Sequence, residues 1–365
     1  MKIIENILKN IEIDYPISNL APLNQMLFID IETTGLSPAH DIIYMIGAIY
    51  NKNDNFYLVQ WFAESPEDEY EILKGFNLFA ENFNFLVHYN GNQFDIPFII
   101  KRSIHHNLVE NLSTKNGIDL YKRILPYKKF LGLIDCKQKT IESYLNINRE
   151  DIYTGRELIS MYKDYMINPS ENNLKKMFLH NAEDVLGLIK ISPILSFCDM
   201  IYGNINITKV NANTYKDNAG ILRQELMINF KFDNTLPVPL TYHYKRCYFS
   251  GRDNEAFIKI PIVQKELKYF YSDYKNYFYL PAEDVAIHKT VSSFVDSENR
   301  MRATPSTCYT RKYSDFLPQW DILVEPFFKE NYRSDIFYFE ITDTLKKNRD
   351  FFKEYACYII KKMST

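Results

Sequence analysis

Leu27-Phe28-Ile29-Asp30-Ile31-Glu32-Thr33-Thr34-Gly35-Leu36 is the stretch on which the reading of this chain turns. Its apolar start predicts a buried strand, which then carries two carboxylates two residues apart. Residues i and i+2 of a strand project from one face, roughly 6–7 Å apart at about 3.3 Å per residue. Anions that close repel unless positive charge lies between them. Thr33-Thr34-Gly35 ends the strand and lets backbone approach a ligand closely. Standing alone, Asp-x-Glu is better read as a strand end with two solvated acids; the acids that follow decide otherwise.

A third acid, Asp95, lies in Asn90-Gly91-Asn92-Gln93-Phe94-Asp95-Ile96-Pro97, after a buried strand (85–89) and at the start of a helix. By itself it reads as a helix cap, two residues before a proline. A fourth, Asp184, lies in His180-Asn181-Ala182-Glu183-Asp184-Val185. A helix over 171–194 puts His180 and Asp184, at i and i+4, on one face, where an exposed pair would be ordinary. Together the four are harder to dismiss. Strand ends of an α/β sheet converge on one edge, where ligand sites lie. Four carboxylates in one pocket stay ionised only with cations among them. Oxygen donors suit hard divalent ions, Mg²⁺ or Mn²⁺. Two such ions, roughly 3.5–4 Å apart, would clamp the attacking and leaving oxygens of a phosphodiester.

These three segments, in this order, resemble the DEDD exonucleases, and within them the YprB-like branch of ribonuclease-H-like domains, over about residues 24–195. The resemblance implies a ribonuclease-H-like fold and 3′→5′ hydrolysis of DNA or RNA with two metal ions. It implies Asp30, Glu32, Asp95 and Asp184 as metal ligands and His180 as general base. It also implies Thr33, Thr34, Gly35 and Leu36 as contacts to the terminal nucleotide, with Asn90 and Phe94 lining the cleft; Phe94 reads equally as a core residue. One departure from the pattern matters. Members that use His commonly place it five residues before the last Asp, whereas here it is four, the spacing of members that use Tyr. An imidazole still suits proton removal near neutral pH. Asp119, in a short strand over 117–120, reads as structural.

Around this core the chain of 365 residues predicts a preamble (1–25) holding a short helix, an α/β domain (26–200) with a mixed sheet flanked by helices, and a smaller β-rich α+β domain (201–365). Strands are expected at 26–32, 42–50, 55–62 and 85–89, with helices at 66–83, from near Pro97, 121–130, 138–147, 155–167 and 171–194. The domain boundary falls between 195 and 222. Beyond it, strands are expected at 225–232, 237–249, 255–263 and 335–341, a hairpin turn at Ser250–Asn254, and helices at 281–295 and 342–363.

Net charge is −3, but residues 1–200 carry 19 Lys and Arg against 26 Asp and Glu, and residues 201–365 carry 24 against 20. An acidic front half fits a carboxylate-lined metal site, and a mildly basic rear half fits phosphates. No apolar run approaches the roughly 20 residues of a membrane span, and the first residues lack a signal-peptide pattern. Five widely spaced cysteines without zinc-ligand spacing read as reduced thiols, and the expected location is the cytoplasm. Frequent Tyr, Ile, Asn and Lys suggest an AT-rich bacterial genome.

The rear half shows no phosphate-binding glycine loop or nucleophile elbow. Its tyrosine-rich run, 269–279, reads first as sheet packing and second as a base-stacking platform. Glu283, Asp284 and His288 read as first-turn helix residues rather than a second metal site. The expected partner is nucleic acid with a single-stranded 3′ end. A metal-dependent exonuclease is the first reading; a non-catalytic nucleic-acid-binding protein and a structure-selective endonuclease are the alternatives.

Overall fold

The computed structural model describes residues 1–9, 11, 13–203 and 205–364. Strands β1 (Lys2–Leu8), β2 (Met26–Thr33), β3 (Ile43–Lys52), β4 (Asn55–Phe62), β5 (Phe85–His88) and β6 (Asn116–Asp119) form one sheet of order β1-β4-β3-β2-β5-β6. β2 is antiparallel to β3, β3 to β4 and β4 to β1, whereas β5 runs parallel to β2 and β6 parallel to β5. The β3–β4 hairpin closes on Asn53 and Asp54, both at positive φ, as a two-residue turn between right-twisted strands requires.

Among the described residues the front half has seven helices: α1 (Glu69–Ala80), α2 (Asp95–His105), α3 (Leu120–Ile124), α4 (Gln138–Tyr144), α5 (Gly155–Ile167), α6 (Glu171–Lys190) and α7 (Leu195–Tyr202). The two-residue period of β2 divides their cores. Leu27, Ile29 and Ile31 pack with Ile72 and Phe76 of α1 and Phe98 of α2. Met26 and Phe28 pack with Val185 and Leu188 of α6. Each fully buried side chain of this size contributes about 1.5–3 kcal/mol. Asp30 and Glu32 share the α6-side parity of Met26 and Phe28, so the acids interrupt an otherwise apolar face.

The rear half begins with β7 (Asn206–Lys216), inside the stretch expected to link two domains. β8 (Leu222–Lys231), β9 (Leu240–Tyr244), β10 (Cys247–Arg252) and the long β11 (Glu255–Phe270) follow. β12 (Tyr277–Leu280), β13 (Val285–His288) and β14 (Met301–Arg302) make a small separate sheet. β15 (Tyr309–Gln319), β16 (Phe327–Phe328) and β17 (Phe337–Glu340) complete the larger sheet, which has eight strands with β7 to β11. α8 (Asp343–Lys346) and α9 (Arg349–Ser364) end the chain. One apolar cluster runs from Phe28 and Leu188 through Phe197 of α7 to Ile228, Phe249 and Tyr355, so the two halves share a core. The Phe130 ring lies 5.6 Å from that of Phe249 and 5.2 Å from that of Tyr242.

Several expectations are corrected. The N-terminal helix is instead strand β1, which pairs with the open edge of β4 and so satisfies its backbone groups. Helix 121–130 is a short α3 followed by a 3₁₀ turn, because Pro126 removes a donor. The run 237–249 is two strands, β9 and β10, joined at Lys245 with φ 55°. Helix 281–295 is β13 and turns: Asp284, at φ 52°, accepts hydrogen bonds from the Tyr279 and Tyr309 hydroxyls. The C-terminal helix is broken between α8 and α9. One segment, Glu171–Tyr202, does reach the length and apolarity of a membrane span, contrary to expectation; 67% of its most apolar window is buried in the fold, as in a core helix. All five cysteines are unpaired.

Candidate active site

A transverse row of three residues, Asp30 on β2, Gly47 on β3 and Gln60 on β4, lies beneath α6. Gly47 is what lets α6 come down on this row. A Cβ at Gly47 would collide with the Asn181 side chain. Through that gap Asn181 donates from Nδ2 to Asp30 Oδ2 (3.1 Å) and accepts from Gln60 Nε2 at Oδ1 (2.9 Å). Asn181 is fully buried, so each of these bonds replaces one that water would have made.

On either side of Asn181, His180 and Asp184 reach the same place. His180 Nε2 lies 3.1 Å from Asp184 Oδ2 and 3.7 Å from Glu32 Oε1. Glu32, His180 and Asp184 each offer a ligand atom, all within 4.8 Å of one another. The His180 ring is held from behind, with Nδ1 2.7 Å from Asp151 Oδ2.

Asp95 arrives from the other parallel strand. Asn90, at φ 58°, turns the chain after β5, and its N–H donates to Asp119 Oδ1 (3.0 Å). A Cβ on Gly91 would lie 2.7 Å from the His88 ring, so the loop folds closely over β5. Asp95 then opens α2 and is buried. Asp119 holds Asn90 and caps α3 through the Lys122 N–H (3.3 Å), and its charge also helps raise Asp95.

These acids also feel one another's charge. Burial, then the charges of Asp184, Glu32 and Asp95, push the Asp30 carboxyl well above the usual carboxylate range. Burial pushes Glu32 up to about 8, with His180 opposing. Burial lifts Asp95 to about 7 against backbone hydrogen bonds. Burial pulls His180 down, but the carboxylates of Asp184, Glu32 and Asp151 overcome it and raise it to about 8. Asp184 goes the other way: burial opposes its charge, yet His180 and Arg149 hold it below the usual range. Arg149 Nη2 reaches Asp184 at 2.6 Å, and the same guanidinium touches Glu142, Asp151 and Glu183.

This donor set fits a divalent cation. Among the described residues, neither Asp30 nor Asp95 has a Lys, Arg or His within ion-pair distance, although Asp95 is buried, Asp30 is half-buried, and each feels the charge of other acids. The ligand atoms that lie together are carboxylate oxygens of Glu32 and Asp184 with a His180 nitrogen, and carboxylate oxygens are the donors that such ions take.

The remaining predicted residues lie close by in sequence but differ in what they touch. The Thr33 hydroxyl donates to the Gly35 carbonyl (2.6 Å), and Thr34 Oγ1 accepts from the Ile42 N–H (3.0 Å), so both shape the turn. A Cβ on Gly35 would collide with the Asp41 carboxylate. Leu36 is 84% exposed. Phe94 sits 5.4 Å from the Phe98 ring and packs on the apolar core beside α2. In the rear half Asp284 is held by Tyr279, Tyr309 and Arg311, and His288 Nδ1 by Thr290 (2.8 Å), and among the described residues no second carboxylate–histidine group gathers there. The Tyr271 and Tyr277 rings stack on each other at 4.9 Å.

Sequence reasoning missed Arg149, Asp151, Asn181, Gln60 and Gly47. Asn181 had a signal, as the neighbour of His180 in one motif. Arg149 and Asp151 lie in the connection between α4 and α5, which has no periodicity to read.

Residues 27–196 match the family model of the ribonuclease H superfamily. This segment therefore has the ribonuclease-H-like fold expected of it. Among solved structures, the family B DNA polymerase of the archaeon Pyrobaculum calidifontis is similar at 19% identity, over 49% of this chain and 26% of that one, with a TM-score of 0.39. A zinc-bound E. coli ExoI–ssDNA complex is similar at 13% identity, over 56% of this chain and 54% of that one, with a TM-score of 0.28. E. coli exonuclease I in complex with a dT13 oligonucleotide is similar at 11% identity, over 93% and 73%, with a TM-score of 0.28. The matched part thus spans about a quarter of the polymerase and about half of the ExoI chain in the zinc-bound complex. No curated protein matches the chain.

Proposed function

Starting from a ribonuclease H superfamily domain at residues 27–196, we propose that this protein is a divalent-metal-dependent nuclease, and specifically a 3′→5′ exonuclease. The observation that carries the reading is the cluster of Glu32, His180 and Asp184 ligand atoms within 4.8 Å, with Asp30 and Asp95 electrostatically coupled to it. Asp30, Glu32, Asp95 and Asp184 would hold the ions, Mg²⁺ or Mn²⁺. Bound there, the ions would supply charge neutralisation for the phosphodiester in its transition state.

The chain's own residues do the rest. His180 presents Nε2 to the pocket and takes the proton from the attacking water. Asp151 accepts a hydrogen bond from Nδ1–H, fixing the ring and the tautomer. Asn181 and Gln60 hold Asp30 in place. The exposed Leu36 and the Thr33-Thr34-Gly35 turn offer the terminal nucleotide an apolar contact and backbone groups.

One observation favours a second reading, a nucleic-acid-binding module without turnover: Arg149 already neutralises Asp184. A 5′-labelled oligonucleotide incubated with Mg²⁺ or Mn²⁺ separates the readings. Stepwise shortening from the 3′ end supports the exonuclease, discrete internal cuts an endonuclease, and binding without cleavage the module.

A further inference from the structure

The front half, with 19 cationic against 26 acidic residues, repels a polyanion away from any metal it holds. The rear half, with 24 against 20, has four positive charges to spare. One strip of that half is especially cationic. β7, the end of β8, the β10–β11 turn and the α8–α9 junction line two adjoining cavities of about 710 and 250 Å³, which share Thr208 and Lys209. Their walls carry six cations, Lys209, Lys231, Arg252, Lys346, Lys347 and Arg349, against two acids, Asp253 and Glu255. The difference of four equals the net surplus of the whole rear half, whose other charges sum to zero although a separate cavity lined by Arg223, Arg246, Lys259 and Lys265 against Asp217 and Glu225 is also net positive.

The smaller cavity is lined by four cations and no carboxylate. Lys231 pairs with Glu255 (2.7 Å), Lys346 with Asp343 (3.0 Å), and Arg349 donates to the Ile207 carbonyl. Lys209, Arg252 and Lys347 are exposed and have no carboxylate partner among the described residues. Gathered cations without counter-charge repel one another, and a bound polyanion relieves that repulsion while releasing its own counterions. Two adjoining cavities along one strip match a run of phosphates better than a single one.

We infer that this strip binds the sugar-phosphate backbone of a nucleic-acid chain. The choice of polyanion rests on the nuclease reading above; the strip itself does not.

The test is fluorescence anisotropy of a labelled oligothymidylate with the full chain, in EDTA so that nothing is cut, between about 50 and 200 mM salt. Each phosphate contact to a single strand contributes about 0.7 to the slope of log affinity against log salt. The double substitution Lys209→Gln/Lys347→Gln should therefore flatten the slope by about 1.4 and weaken binding at low salt. Lys163→Gln, on α5, should leave it unchanged. Both residues of the pair are exposed, so the fold is not at stake. An unchanged slope and affinity in the double variant overturns the inference. So does a wild-type chain that ignores the oligonucleotide, or one that takes polyglutamate in its place. Hydrolysis of p-nitrophenyl thymidine 5′-phosphate with Mn²⁺ reads the carboxylate pocket alone and should be equal in wild type and double variant. A flattened slope with no ester hydrolysis in either protein sustains the strip and removes the nuclease reading.

Discussion

His180 Nδ1 lies 2.7 Å from Asp151 Oδ2, and the Asp151 side chain is completely buried. The opposite ring nitrogen faces Asp184 and Glu32. If His180 is the base, Asp151 sets which nitrogen of its neutral ring takes a proton in the pocket. An asparagine at 151 fits the space but can offer an N–H to Nδ1 and so invert the tautomer. Asp151→Asn should lower kcat on a short oligonucleotide by roughly 10²-fold with KM unchanged, and His180→Ala by roughly 10²–10⁴-fold. Steady-state kinetics on both variants check this; a wild-type kcat in Asp151→Asn would leave the pair without a catalytic role.

Gly47 makes a different prediction. A methyl group there meets Asn181, whose amide is fixed by both Asp30 and Gln60. Gly47→Ala should cost about 1–3 kcal/mol of stability, as overpacking does, and should lower activity further by displacing Asp30. Gly155, the first residue of α5, has open space where its Cβ would be. Gly155→Ala should be neutral or stabilise by up to about 1 kcal/mol. Thermal melts of the two variants give the comparison, and equal melting temperatures would contradict it.

The pocket also fixes the sign of a pH effect. In the folded, metal-free protein Glu32 and Asp95 hold protons up to about 8 and about 7, and Asp30 lies above its ordinary value as well. The unfolded chain releases those protons near pH 4, so folding loses stability as pH rises from there to about 8. His180, raised to about 8, acts in the same direction: its contribution is complete below its unfolded value near 6.5 and is lost as pH climbs through about 8. Asp184, lowered, contributes at all higher pH and loses only in acid. A divalent cation bound there would neutralise the ionised acids. Mn²⁺ should therefore raise the melting temperature more at pH 8 than at pH 5.5. Equal shifts at both values, read by differential scanning fluorimetry, would count against a shared acidic pocket.

Much of this site was legible because its residues sit on periodic elements. Asp30 and Glu32 follow from the two-residue alternation of β2, and His180 with Asp184 from the i, i+4 spacing of α6. Asp95 was legible as the first residue of a helix, although its delivery depends on Asn90 in a left-handed conformation that only the folded loop reveals. Arg149 and Asp151 were not legible: a loop brings them to α6, and no local pattern records that approach. The same logic explains the errors elsewhere. β1 exists because β4 has an open edge, and 281–295 is no helix because Asp284 is pinned by tyrosines from two other strands. Tertiary partners, not propensity, set those segments.

The central claim is that Asp30, Glu32, Asp95 and Asp184 form a pocket for divalent cations, and calorimetric titration of the metal-free protein with Mn²⁺ at pH 8 tests it most directly. Wild type should bind, and Asp30→Asn, with unchanged secondary structure by circular dichroism, should bind at least tenfold more weakly. Absent heat in wild type, or equal affinity in Asp30→Asn, would contradict the account.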